Sequence, residues 1–495
     1  MSTAAISFDS IPANLRNPLA YAEVDNKKAG YFQQNSRTLF VGQSANIVTE
    51  VPVIVASVDW AKQTFGPGSQ IARFVEAYRR NNSFNELWVL PLNDAAGATK
   101  ASATVTFTGP ATASGTVALY VGGEKVSVPV SRGDTATQIG ASLVTQVTNN
   151  VNLPVTASNA AGVVTLTAKN AGTVGNKVPL NLNFRGVLAN EVTPAGVTVE
   201  IVAFAGGATD PDVEEKLALI GSMDVAFYAH PYADTGSIAA FTAFLSQTGG
   251  RWDPMQGGKD GQAFTALAGS LSALQTFGTS LNDENHTVIG YETSVPNDNI
   301  DVLGSYVAQA SGSLAIDPAR TCQTLELMGV ITPPESSRFT LSNRSTLLNS
   351  GIATLMYHSG TPAIERAITT YQKNSYGQPD PSYLDVTTRA TLSYIKKSVV
   401  YLITQKFPRS KLAEDGTKFG AGNAIVTPKD VRAELIAWYD TLQFIGLVQN
   451  PEGFEKELLV SLNPIDPNRL DILLPPTLVN NLIVCAVKVE FSLRA

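Results

Sequence analysis

Arg37-Thr-Leu-Phe-Val-Gly42, Val51-Pro-Val-Ile-Val-Ala56 and Glu86-Leu-Trp-Val-Leu-Pro-Leu92 are three short apolar runs separated by helix signals. Ser57 can cap a helix through Phe65, which Gly66-Pro67-Gly68 ends. Ser69 opens a second helix. Its Ile71, Phe74, Val75 and Tyr78 fall on one face at i, i+3, i+4 and i+7, and Arg79-Arg80 suit its C-terminal end. Apolar strands alternating with amphipathic helices predict a sheet covered on both faces.

Working outward, the rhythm stops near residue 95 and resumes near 206. Residues 101–205 hold 19 Val and 15 Thr and no Trp. Short alternating runs, such as Thr104–Thr108, Lys125–Val130 and Val163–Ala168, are separated by turn signals. Gly122-Gly123 suits a two-residue hairpin turn, and Thr135–Gln146 reads as one helix. This predicts a mostly β domain, 96–205, inserted between two α/β parts, 26–95 and 206–332. In the second part, Asp210-Pro211 is expected to open a helix, with Asp210 as cap. Asp224–Ala229, Ala263–Ala268 and Thr287–Gly290 read as strands, and Ile238–Leu245 and Val302–Gln309 as helices. Pro333-Pro334 marks a break before a C-terminal α+β region, 333–480, with helices over Val386–Phe407 and Pro428–Phe444.

Both ends read as extended chain. Pro12 and Pro18 forbid a continuous helix in residues 1–25, where Ile6, Phe8, Ile11 and Leu15 are sparse apolar points. Residues 481–495 end in Val487-Lys-Val-Glu-Phe-Ser-Leu493, which alternates apolar and polar like a half-buried strand. A lone strand cannot satisfy its own backbone.

Of the 495 residues, 44% are hydrophobic, enough for a sizeable core. Only 16% are charged, against ~25% in an average soluble protein, which suggests surface covered by neighbours. A net charge of −7 disfavours general nucleic-acid binding. Two distant cysteines, Cys322 and Cys485, exclude a disulfide framework and suit a reducing compartment. The N-terminus does not read as a signal peptide, and no apolar run approaches the ~18 residues of a membrane span. Charge is uneven. Residues 200–300 carry thirteen acids and three bases, whereas 386–432 carry nine bases and three acids. The two regions read either as contacts between copies or with an acidic partner, or as two solvated faces.

Chemistry is sparse. His230 lies at a strand end, His286 in a polar loop, and His358 before Ser-Gly-Thr361. No Gly-x-Ser-x-Gly elbow or His-Glu-x-x-His pattern is present. Gly257-Gly-Lys-Asp260 lacks the upstream glycine and the Ser/Thr of a phosphate loop. The expectation is no cofactor, no metal and no catalytic site.

Several segments nonetheless form a collinear pattern. They are Ile316-Asp-Pro-Ala-Arg320, Gly351-Ile-Ala-Thr-Leu355, Ile368-Thr-Thr-Tyr-Gln372, Ser382-Tyr-Leu-Asp-Val386, Phe407-Pro-Arg-Ser-Lys-Leu412, Phe419-Gly-Ala-Gly422, Val431-Arg-Ala-Glu-Leu-Ile436, Asn463-Pro-Ile-Asp-Pro-Asn468 and Leu474-Pro-Pro476. With Ile6-Ser-Phe-Asp-Ser-Ile-Pro12, the chain resembles the contractile phage tail sheath family, in its Mu-like branch. The resemblance implies a non-enzymatic, mixed α/β core that is subtilisin-like in shape only. It implies stacked hexameric rings around a tail tube, baseplate and tail terminator partners, and contraction that drives genome ejection. It implies a place in the virion, with assembly in the host cytoplasm and no direct membrane insertion. It also implies strand exchange between copies, through Ile6, Phe8 and Ile11 at one end and Val487, Val489, Phe491 and Leu493 at the other. A tube contact is placed near Lys396 and Lys397. Two alternatives stay open: an α/β hydrolase using one of the histidines, and another tail protein, such as an adhesin built around the insertion.

Overall fold

The computed structural model describes residues 36–493 except 359 and 421, so the expected N-terminal arm and its Ile6, Phe8 and Ile11 lie outside the described residues. The first part is strand β1 (Thr38–Gln43), β2 (Val53–Ile54), helices α1 (Val58–Phe65) and α2 (Gln70–Asn81), and β3 (Leu87–Leu92). Both predicted caps are present: Ser57 accepts from the Trp60 N–H and Ser69 from the Ala72 N–H. Ile71, Phe74, Val75 and Tyr78 are buried, and Phe74 stacks on Phe40 at 3.9 Å. The second apolar run yields only two paired residues, since Pro52 has no N–H to give and Val51 is exposed.

The next stretch makes β4 (Lys100–Thr108), β5 (Gly115–Val121), β6 (Glu124–Val130), α3 (Ala136–Asn149), β7 (Val155–Ala160), β8 (Val163–Ala171), β9 (Leu180–Leu182) and β10 (Thr198–Ala205). They form two sheets, ordered β10-β4-β8-β7 and β6-β5-β9. With α3 these enclose a separate apolar core that includes Val105, Val117, Leu119, Ile139, Leu143 and Leu166. The chain enters and leaves this unit at one point, where Thr99 and Ala208 pair through both backbone hydrogen bonds.

The α/β pattern continues with α4 (Val213–Leu217), β11 (Phe227–Ala229), α5 (Thr235–Leu245), β12 (Gln262–Gly269), α6 (Leu271–Thr279), β13 (His286–Glu292), α7 (Asn299–Ile316), α8 (Leu341–Leu348), β14 (Ile352–His358) and β15 (Thr361–Arg366). The main sheet runs β15-β14-β13-β12-β11-β1-β3-β2. The inner pairs are parallel, and only the edge strands β15 and β2 pair antiparallel. Two local expectations are corrected. Asp212, not Asp210, caps α4, while Asp210 turns to bond Thr173 of the insertion. The strands at 263 and 287 are separated by α6, which Ser270 caps; its short apolar face gave little period to read.

The C-terminal region contains α9 (Val386–Lys406), β16 (Lys411–Leu412), β17 (Ile425–Val426), α10 (Pro428–Phe444), β18 (Val448–Gln449), α11 (Pro451–Glu457), β19 (Leu459–Leu462), β20 (Leu470–Leu473) and β21 (Thr477–Leu478). Its own small core centres on Leu435, Trp438, Tyr439 and Phe454. A Thr427–Asp430 capping box with Pro428 in the first turn starts α10 at the predicted residue.

The insertion docks on the carboxyl ends of the central strands. The chain runs from β1 to β3 on one side and to β11 on the other, so a topological switch point falls beside β1, where open α/β sheets usually bind ligands. Here that position is filled by the chain itself. Asn170 accepts from the Gln70 N–H, an orphan donor at the start of α2, and donates to the Ser44 carbonyl at 2.9 Å. Gln43 donates to Asp94 and to the Ala171 carbonyl. Lys169 donates to the Pro67 carbonyl at 2.7 Å, and partial burial lowers its ammonium to about 8. Nearby, Arg73 pairs with Asp298 and Asp301 beneath the β5–β6 turn. Burial pushes the Asp301 carboxyl up to about 6 despite Arg73. The turn uses Gly122 and Gly123, both at positive φ, and a Cβ on Gly123 would lie 2.5 Å from Asn297.

Two substitutions test this docking. Asn170→Ala leaves a buried N–H and carbonyl unpaired, and should cost ~1–3 kcal/mol in urea unfolding. Arg73→Met leaves two buried carboxyls without their cation and should cost ~3–5 kcal/mol. Wild-type stability in Asn170→Ala would mean the insertion is not fixed there, and in Arg73→Met that the pair does not hold α2 against α7 beneath it.

Candidate assembly interface

Among the described residues the last strand is β21, which joins β18 through Leu478↔Val448 and Thr477↔Gln449. Val479 then donates to the Leu447 carbonyl, and Asn481 reaches Thr387 at 2.6 Å. Ile483 and Val484 lie along a groove with Leu341, Leu348, Ile368 and Leu384. Beyond this, residues 485–493 are exposed. Among the described residues no strand is formed after Leu478. Val487, Val489, Phe491 and Leu493 are 79–91% exposed. The alternation expected to be half-buried is therefore exposed here. A strand is stabilised by its neighbour, and none is paired with this segment among the described residues.

The same region presents incomplete sheets. β19 and β20 form a two-stranded antiparallel hairpin, with Leu459↔Leu473 and Leu462↔Leu470 in register. Val460, Leu470 and Ile472 pack toward the α10 core, while Leu459 and Leu473 point to solvent. Two-stranded sheets are marginal by themselves, and both outer edges of this hairpin are unpaired by strands among the described residues.

The basic helix α9 looks inward rather than outward. Lys396 donates to Asp260 at 2.5 Å and to the Trp252 carbonyl at 3.1 Å. Lys397 donates to Asp224 at 2.9 Å. One turn or more earlier, Arg389 lies 3.6 Å over the Trp252 ring and holds Asn285. Asp260 is fully buried; burial pushes its carboxyl up, and Lys396 and Ser393 pull it back. The acidic 200–300 and basic 386–432 regions thus meet inside one chain at these pairs. Lys396 and Lys397, expected at a tube contact, are committed to it. Arg409, Lys411, Lys418 and Lys429 of the same basic run are exposed. Sequence reading could not separate the two groups, because charge counts do not say which acids a helix faces.

The histidines are placed differently from a catalytic set. His230 and His286 are buried, with their Nε2 atoms 3.2 Å apart, and His230 stacks on Phe241 at 3.9 Å. His358 is exposed at the end of β14.

Comparison with known proteins agrees with an assembly protein. Residues 206–370 match the phage tail sheath protein central domain, and residues 378–492 match the phage tail sheath C-terminal domain. The chain is 37% identical over 495 residues to the Mu-like prophage FluMu tail sheath protein of Haemophilus influenzae, covering 99% of this chain and 100% of that one. A sheath tail protein structure from Desulfitobacterium hafniense aligns at 14% identity and TM-score 0.46, covering 93% of this chain and 100% of that chain. A chain of the anti-feeding prophage baseplate in its contracted state aligns at 12% identity and TM-score 0.48, covering 96% and 98%. With two sheath domains in order and a relative matching end to end, this chain belongs to the Mu-like phage tail sheath family, whose members are structural proteins of contractile tails and not enzymes.

Proposed function

We propose that the chain polymerises as stacked hexameric rings around a tail tube, that strand exchange holds the rings together, and that their contraction drives the tube through the host envelope. The carrying observation is the exposed apolar alternation of Val487, Val489, Phe491 and Leu493, which forms no strand among the described residues. In this reading the segment of one copy adds to an outer edge of the β19–β20 hairpin of another. Added main-chain bonds supply affinity, and alternate side chains supply register. Covering four such side chains is worth roughly 6–12 kcal/mol, similar to the ~1–2 kcal/mol per residue needed to order seven residues. One junction alone is therefore weak, and the lattice is stable because each subunit makes several. Ile6, Phe8 and Ile11 would serve likewise at the other end.

Contraction would be a switch between two packings of the globular parts while exchanged strands stay paired. Head-to-tail addition with a repeated rotation gives an open helix, as a sheath requires. The tube, baseplate and tail terminator proteins are the partners this role needs, in the virion after assembly in the host cytoplasm. For the tube contact near Lys396 and Lys397, the exposed Arg409, Lys411, Lys418 and Lys429 are the cations not already held by Asp260 and Asp224.

Deleting residues 486–495, or substituting Phe491→Asp, should leave a folded, soluble subunit that makes no cylinders in negative-stain images. Normal cylinders from the deletion would refute strand exchange by this segment. Lys396→Met should behave differently from changes at the exposed bases. It should destabilise the subunit by on the order of 2–3 kcal/mol, below the ~3–5 kcal/mol of a fully buried pair, since 30% of the lysine side chain is solvent-exposed. Neutralising Lys411 and Lys418 together should leave stability unchanged and weaken salt-sensitive tube binding. Equal unfolding midpoints for Lys396→Met and wild type would remove the assigned role of the Asp260 pair.

A further inference from the structure

The histidine pair is used by nothing in the assembly described above, and its surroundings are unusual for ionisable groups. His230 follows β11 and His286 begins β13, with β12 between them. The two rings meet at 5.0 Å between centroids and 78° between planes. A single Nε2···Nε2 hydrogen bond requires one ring to carry its proton on Nε2 and the other on Nδ1. Both Nδ1 atoms are buried without a hydrogen-bond partner.

Among the described residues the Tyr232 backbone beside His230 favours a positive charge on the pair, and burial and the second imidazole outweigh it. Helix α5 contributes Phe241, and the acid capping that helix, Asp234, is bonded to the Ser237 N–H. Before β13, Asp283 is bonded to Thr242 and to the Asn285 N–H, and Glu284 to Gln247. Arg389 of α9 holds Asn285, placing a cation on that side. Tyr232 beyond β11 and Tyr306 of α7 present buried, unpartnered hydroxyls. From β12 come the uncharged Ala263, Phe264 and Thr265, and Thr370 donates its N–H to the His286 carbonyl.

We propose that the His230–His286 pair is an acid-labile joint in the core sheet, which makes the sheath subunit lose its fold on mild acidification. The first added proton must sit on an unpartnered nitrogen in apolar surroundings. A second makes both Nε2 atoms donors, breaks the bond between the rings, and leaves two cations in contact. Burial accordingly holds His286 down at about 3, and burial with the neighbouring imidazole holds His230 well below the ordinary range. The unfolded chain therefore binds more protons than the folded one below about 6.5, and stability falls as pH falls through that point. The proposal does not depend on the sheath reading, since it concerns the isolated subunit.

The test uses the full chain. Urea unfolding between pH 7.5 and 4.5 should show the unfolding constant of the wild type rising up to ~100-fold per pH unit from this pair, below about pH 6. His286→Gln and His230→Gln should each be less stable at pH 7.5 but lose about tenfold per pH unit of that dependence. Variants with the wild-type slope would overturn the proposal. Ring-labelled histidine NMR of the folded wild type gives a reading without substitution: at pH 5.5 the rings of His230 and His286 should remain neutral. Titration of these two rings near 6.5 in the folded protein would equally overturn it.

Discussion

Extended backbone must find hydrogen-bond partners, and this constraint organises the molecule at every level. Within the main sheet it is met by parallel pairing of β1, β3, β11, β12, β13 and β14, with helices packed on them. Within the insertion it is met by two small sheets around a separate core. At the C-terminus it is not met by strands among the described residues: there β19 and β20 pair with each other alone, and the segment after Leu478 forms no strand. The cores of the globular parts are thus closed, while extended chain is left open at the periphery.

The ion pairs fall on the closed side of this division. Asp260–Lys396, Asp224–Lys397 and the Arg389–Trp252 stack join α9 to the region before residue 332. Asn170 and Lys169 join the insertion to the same body, and Arg73 with Asp298 and Asp301 ties α2 to the start of α7 beside it. Buried or half-buried pairs of this kind define one relative position and disfavour others, because a displaced partner leaves a charge without compensation. These contacts tie α9 and the insertion to the body that carries the main sheet.

Much of this was legible from local signals. Ser57 and Ser69 cap the helices they are read to cap, and Gly122-Gly123 turns the hairpin it is read to turn. Each is a short-range rule in which a side chain meets a backbone group a few residues away. The misses have physical causes too. Asp210 and Asp212 are both competent caps, and a hydrogen bond to Thr173, distant in sequence, settles which one serves. Helix α6 is short, so its period is nearly invisible. The inward direction of Lys396 and Lys397 depends on loops at 224 and 260, far from α9 in sequence.

What the sequence determined by itself was the α/β class, the compositional break near 95 and the alternation at 487–493, because each is encoded by neighbouring residues. What only the tertiary structure decided was which charges pair internally, that Asn170 closes the crevice beside β1, and that His230 and His286 share one hydrogen bond. These depend on strands and loops brought together across a hundred residues or more in some cases, and no periodicity records such meetings.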